Sequence, residues 1–302
     1  MVDPNAKASA SSAAPTGRIL VTGATGTVGH AVVQQLAQQD APVVAAVRNP
    51  ARVRQTLSAP AVAFDFHEPV TYDNAFRGVA KLFLVRPPAI AAVWQSMFPA
   101  LRAAQRAGVQ HVVFLSLLGA EQNPLVPHRW IEWYLQSLEM DWTFLRPSFF
   151  MQNLSTTHRE EIRDRNEIFV PAGEGATSFI DARDIAAVAV RALTEAGHEN
   201  AAYALTGPEA LTYAEVADVL SDVLGRPIRY RDPSLLDFVQ RHLGERPLGL
   251  VLVMAGIYLT ARLGLAARTT PDVQRLLARP PTPFRQFAED HQARWAPSSR
   301  AS

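Results

Sequence analysis

Three glycines at fixed spacing carry the first chemical signal. They are Gly23, Gly26 and Gly29, in the run Val21-Thr22-Gly23-Ala24-Thr25-Gly26-Thr27-Val28-Gly29. Gly23 permits a tight turn, Gly26 lets the backbone approach a ligand, and Gly29 lets a helix pack closely on a strand. A helix starting here presents unpaired N–H groups and the positive end of its dipole, a combination that suits a pyrophosphate. Thr25, Thr27 and Val28 join the glycines as candidate contacts. The chemistry implied is dinucleotide binding. The spacing is G-x-x-G-x-x-G rather than G-x-G-x-x-G, so its meaning depends on the elements around it. The plain alternative is a structural turn that binds nothing.

Those elements favour the nucleotide. The apolar run Ile19 to Val21 reads as a buried strand, and Val28, Val32, Val33 and Leu36 recur at helical spacing after the turn. Further buried strands are expected at 42–47, 61–64, 81–85, 111–115 and 141–145, with helices around 72–76, 89–107 and 129–138. This alternation predicts an α/β fold: a doubly wound, mostly parallel Rossmann sheet with helices on both faces. Ligands of such sheets bind at the carboxyl ends of the strands. The polar stretch 161–175 reads as an excursion, 177–181 as a strand returning to the sheet, 182–196 as a helix and 202–207 as a late strand. Thr212 with Glu215 makes a capping box, and the pattern is helical from there to Trp295. The expected organisation is a disordered tail over 1–16 and a nucleotide-binding domain over 17–154, to which 177–206 return. A smaller, mainly helical substrate-binding subdomain comprises 155–176 and 207–302.

Composition narrows the class. The chain has 302 residues, 48% of them hydrophobic and 19% charged, as in soluble globular proteins. A formal net charge of +1 gives no electrostatic case for nucleic acid or an acidic partner. There is no cysteine, which removes disulfides, thiolate nucleophiles and cysteine-ligated metals. No signal-peptide core is visible, and the cytoplasm is the expected location. The most hydrophobic segment, Leu248 to Leu265, is short for a membrane span and is expected to be a buried helix or a wall of the substrate pocket. His158 and Arg159 with Glu160 and Glu161 lack a second histidine at helical spacing and read as a solvated face, so no metal site is expected.

The end of the second strand selects between cofactors. NAD-specific sites place an acidic residue about 20 residues after the glycine turn. Here Arg48 stands there, with no Asp or Glu nearby. A guanidinium suits a 2′-phosphate, so NADP(H) is expected over NAD(H). Arg52 or Arg54 could serve instead, or Arg48 could simply be solvated.

The chain resembles the NmrA-like branch of the atypical short-chain dehydrogenase/reductases. The resemblance is carried by the glycine turn, Val47-Arg48-Asn49-Pro50, Phe114-Leu115-Ser116, and Thr143-Phe144-Leu145-Arg146-Pro147-Ser148-Phe149-Phe150-Met151-Gln152-Asn153-Leu154. It continues in Phe179-Ile180-Asp181-Ala182-Arg183-Asp184-Ile185-Ala186 and Arg279-Pro280-Pro281-Thr282-Pro283-Phe284. It implies NAD(P)H-dependent reduction of a small conjugated acceptor such as a quinone, dye or enone. The family also contains redox sensors that bind the dinucleotide and act through a protein partner, which is the alternative. Asp65 and Phe66 are expected to flank the adenine, unless Asp65 merely caps the following segment. Val85, Arg86 and Pro87 are expected along the nicotinamide ribose, with Ser116, Pro147 and Phe149 also at the cofactor.

Orthodox members of the superfamily use a serine and a Tyr-x-x-x-Lys pair, in which the tyrosine is the general acid. This chain keeps Ser116 but lacks the pair, and no lysine follows Lys81. His128 is the remaining candidate for proton donation or substrate binding; capping its helix or touching the ribose is the alternative. Leu117, Leu118, Phe150, Met151 and Asn153 are expected to line the substrate pocket with Phe149, covered by the region from Phe238 to Tyr258. Arg146 is expected to position the loop rather than touch substrate. The partner implied is a small-molecule substrate; the protein itself is expected to be a monomer or homodimer.

Overall fold

The computed structural model describes residues 17–296. The expected tail, 1–16, lies outside them. In chain order the first half contains β1 (Arg18–Val21), α1 (Thr27–Gln38), β2 (Val43–Val47), β3 (Ala61–Ala63), α2 (Tyr72–Phe76), β4 (Val79–Val85), α3 (Val93–Arg106), β5 (His111–Leu115), α4 (Pro127–Gln136) and β6 (Asp141–Pro147). The second half contains β7 (Phe149–Phe150), α5 (Gln152–Ser155), α6 (Arg159–Arg165), β8 (Glu167–Phe169), β9 (Ala176–Ile180), α7 (Ala182–Thr194), β10 (Ala201–Leu205), β11 (Ala210–Thr212), α8 (Tyr213–Leu224), β12 (Arg229–Arg231), α9 (Leu235–His242), α10 (Leu248–Arg262), α11 (Asp272–Leu277) and α12 (Phe284–Asp290).

Seven strands form one parallel sheet in the order β10-β6-β5-β4-β1-β2-β3. Its strands are covered on both faces, so they read as continuous apolar runs rather than alternating ones. One face packs against α1 and α7, the other against α2, α3 and α4. The winding reverses between β1 and β4, where a crevice opens at the carboxyl ends. Thr22 pins that point. Its backbone N–H and its hydroxyl both donate to the Phe83 carbonyl, at 2.9 and 3.1 Å, and its Oγ1 accepts from the Val85 N–H at 2.8 Å.

The return of 177–181 to the main sheet is corrected. The edge beside β6 is taken by β10, and β9 pairs instead with β7 and β11 in a separate three-stranded sheet. The chain rejoins the main body through α7 and β10. Residues 229–231, inside the region expected to be helical, form a two-stranded sheet with β8; three residues are too short for a period-two signal. α10 is not a buried helix either. Val251, Met254, Ala255, Tyr258 and Ala261 face inward, and its other side is exposed. Its exposed side is apolar until Thr260 and Arg262 in the last turn, so most of the outer face carries no polar residue to mark it. None of the helices of the described residues is long and apolar enough to cross a membrane.

Buried polar ties join the small sheet and the C-terminal segment to the main body. Gln152 Nε2 donates to Asp181 Oδ1 at 2.8 Å, and its Oε1 accepts from the Ala182 N–H at 2.9 Å. Asp181 caps α7 through the Arg183 N–H. Asp184, fully buried, accepts from Arg279 Nη2 and from the Thr282 N–H, both at 2.7 Å. The Asp-Ala-Arg-Asp and Arg-Pro-Pro-Thr runs are thus two halves of one joint. Asp184→Ala removes both bonds and is expected to lower unfolding free energy by about 2–4 kcal/mol, read as a lower urea midpoint at unchanged m-value.

Candidate dinucleotide and acceptor site at the strand ends

The glycine turn has the geometry its spacing implies. Gly23 sits at φ +63°, and a side chain there would crowd Val85 on β4. A Cβ on Gly29 would lie 2.2 Å from the Gly23 carbonyl oxygen, so helix and turn can meet only through glycine. Gly26 is the N-cap of α1 and supplies no side-chain cap. The first N–H groups of α1 therefore face outward unpaired beside exposed Thr25 and Thr27. The Val28 side chain is in the core, so only its backbone is at the turn.

Arg48 follows β2 and is exposed, as are Arg52 and Arg54. None of the three makes an ion pair within the described residues. Asn49 instead caps the next turn by accepting from the Ala51 N–H. The Phe66 ring is buried edge-on against Phe64, at 4.8 Å between centroids, which leaves only its backbone for the expected place beside an adenine. Asp65 Oδ1 accepts from the His67 N–H at 2.9 Å, which is the capping alternative.

A polar cluster stands at the ends of β4, β5 and β6. Ser116 Oγ donates to Glu132 Oε1 at 2.7 Å. Arg146 grips the same carboxylate with two bonds of 2.9 Å, and Arg129 adds a third at 3.1 Å. Glu132 has no exposure to solvent. Arg146 thus holds a carboxylate of α4, and Glu132 is the residue that sequence reasoning missed. The signal was present: His128 and Glu132 are four apart in a helix and share one face.

His128 is in the first turn of α4, its ring stacked near Phe114. Arg86 Nε–H donates to its Nε2 at 3.4 Å. Arg86 is itself fixed by donating through Nη1 to the carbonyls of Pro87, Pro88 and Ile90. With Nε2 accepting, the ring proton belongs on Nδ1, which is buried and has no partner. Burial, aided by the Arg86 charge, pushes the His128 pKa down to about 3. His128 is therefore a neutral hydrogen-bond donor at physiological pH, not an imidazolium acid.

Val85 and Pro87 lie half-buried beside Arg86. Pro147 ends β6, and its carbonyl accepts from the Leu118 N–H. Leu117, Leu118, Phe149, Phe150 and Asn153 are partly exposed. Met151 is corrected: it is fully buried in the core of the small subdomain. The solvated face expected at His158–Glu161 is corrected too. His158 is fully buried, with Nδ1 on Glu161 Oε2 at 2.9 Å and Nε2 bonded to the Tyr258 hydroxyl. Tyr258 lies a hundred residues away on α10, so nothing local announced the contact. No group of three or more His, Asp or Glu side chains among the described residues could hold a metal ion.

A parallel sheet with its switch point beside a glycine turn, an uncapped helix N-terminus and unpaired arginines past β2 defines a dinucleotide-binding protein of the Rossmann type. The chain belongs to the NmrA-like family, whose sequence profile matches residues 15–259. It is 42% identical over 283 residues to the NAD(P)H azoreductase of Xenophilus azovorans, covering 91% of this chain and 98% of that protein. It is similar in structure to the triphenylmethane reductase of a Citrobacter species complexed with NADP(H), at 26% identity and a TM-score of 0.79, covering 91% of this chain and 99% of the other. The NADPH-dependent quinone oxidoreductase of Escherichia coli complexed with NADPH matches at 27% identity and a TM-score of 0.81, over the same shares.

Two substitutions probe the site. Arg48→Ala is expected to weaken NADPH binding about tenfold or more while leaving NADH nearly unchanged; calorimetric titration with each would show it. Glu132→Ala removes the carboxylate shared by Arg146 and Arg129, leaving Arg146 only its 3.4 Å pair with Glu121, and is expected to cost about 3 kcal/mol of stability, measured by chemical denaturation.

Proposed function

We propose that this protein is an NADPH-dependent reductase that transfers hydride to a small conjugated acceptor of the quinone or dye type, met in the cytoplasm. The observation that carries the proposal is the open glycine turn at the switch point, with the uncapped N-terminus of α1 beside it and the exposed Arg48 past β2, unpaired among the described residues. When bound, NADPH supplies the hydride, and the protein supplies orientation and electrostatics. The N–H groups at the start of α1 would hold its pyrophosphate, and Arg48 its 2′-phosphate. His128 is neutral and fixed by Arg86, and its Nδ1–H is sealed from solvent, so it orders the end of β4 rather than touching the acceptor. Ser116 has its proton committed to Glu132, leaving its oxygen to accept from a ligand. Neither group is a proton source, which fits an acceptor whose reduced form takes its proton from solvent better than a simple ketone. Leu117, Leu118, Phe149, Phe150 and Asn153 remain the proposed walls. The names of the relatives, an azoreductase, a quinone oxidoreductase and a triphenylmethane reductase, support the acceptor class.

The test follows NADPH absorbance against quinones, azo dyes and triphenylmethane dyes. Oxidation with at least one class is expected. A group with a pKa near 3 does not titrate between pH 5 and 8, so the rate should show no limb there that His128→Asn removes. Tight NADPH binding without oxidation across the panel would contradict the proposal and favour a sensor.

A further inference from the structure

The second half of the molecule displays an apolar surface that the nucleotide site does not use. From Pro247 to Ala261 the sequence has no charged residue and no histidine. The inner stripe of α10 is buried, and among the described residues no element covers its outer stripe. Sixteen large apolar side chains are exposed among the described residues, and eleven of them fall between Leu235 and Leu265, each 37–70% exposed. At about 150 Å² for a fully exposed side chain of this size, the eleven together expose roughly 900 Å², close to one partner's share of a standard interface.

We propose that the outer faces of α9 and α10 form a two-fold interface between two copies of this chain. The face is self-complementary, as a two-fold axis requires. Gly249 and Gly256 lie in the exposed stripe, and a Cβ on either would meet nothing within 4 Å. Between them stand Leu252 and Val253. Crossing two α10 helices antiparallel near Val253 and Gly256 seats Val253 of one copy in the space above Gly256 of the other. The same crossing brings Glu245, just before the helix, toward Arg262 at the far end of the second helix. It also sets the positive end of each helix dipole against the negative end of the other. Asp232 and Asp237 share the rim with these residues. Arg262 is paired with Asp232 at 3.0 Å and Arg165 lies 3.9 Å from Glu245, so the rim carries both signs, which suits a mixed-sign protein partner better than a uniformly anionic lipid surface.

The absence of native cysteine makes the test direct. In sedimentation velocity at micromolar concentration, the wild-type chain is expected to run as a dimer and Val253→Arg as a monomer. Val253 is exposed, so unchanged NADPH affinity shows that the variant remains folded. Val253→Cys is expected to form an interchain disulfide under mild oxidation, and a cysteine at exposed Thr56 is not. A monomeric wild-type chain overturns the proposal, whether or not it sediments with phosphatidylglycerol vesicles. A dimer that survives Val253→Arg overturns it as well, by placing the interface elsewhere.

Discussion

A carboxylate sealed from water organises the chemical end of this protein. Glu132 has no solvent exposure, and an unpaired charge in such a place costs several kcal/mol. Four bonds from three side chains offset that cost: one from Ser116 at the end of β5, two from Arg146 on β6 and one from Arg129 on the same helix. Satisfying Glu132 therefore fixes α4 against two strands at once. His128, one turn earlier on α4, is delivered to the carboxyl end of β4, where Arg86 sets its tautomer. The donor geometry is a consequence of the buried charge, not a separate arrangement.

The nucleotide half was largely legible from residues because its constraints are local. Gly29 is dictated by a carbonyl six residues earlier, and the parallel strands announce themselves as unbroken apolar runs. Asp181 caps the helix that begins at the next residue. Arg48 follows β2 by the chain's own order. What stayed hidden depends on contacts distant in sequence or on faces that composition does not mark. Glu132 was visible as a letter one turn from His128, but its burial depends on Arg146 arriving from β6. His158 looked solvated until Tyr258 closed over it. β9 was recognisable as a strand; its partner was not, because pairing is decided by which edge β10 occupies.

The two halves are linked through aromatic contacts as well as polar ones. Phe149, on the segment leaving β6, lies edge-on to Phe179 at 5.6 Å and near Tyr258 at 6.1 Å. Tyr258 in turn is held by the His158–Glu161 pair. The wall proposed for the acceptor is therefore continuous with the inner face of α10, while the outer face of that helix is left for another task. The polar machinery sits where α4 meets the carboxyl ends of β4, β5 and β6, held there by the Glu132 bonds.

The central claim is that His128 is a neutral donor whose proton is on Nδ1. Nitrogen-15 NMR of the imidazole, recorded with NADP⁺ bound and His128 assigned by substitution, tests it most directly. The expected spectrum shows a protonated Nδ1 and an unprotonated Nε2, unchanged from pH 8 to pH 5. An imidazolium signature in that range, or the proton on Nε2, would contradict the account.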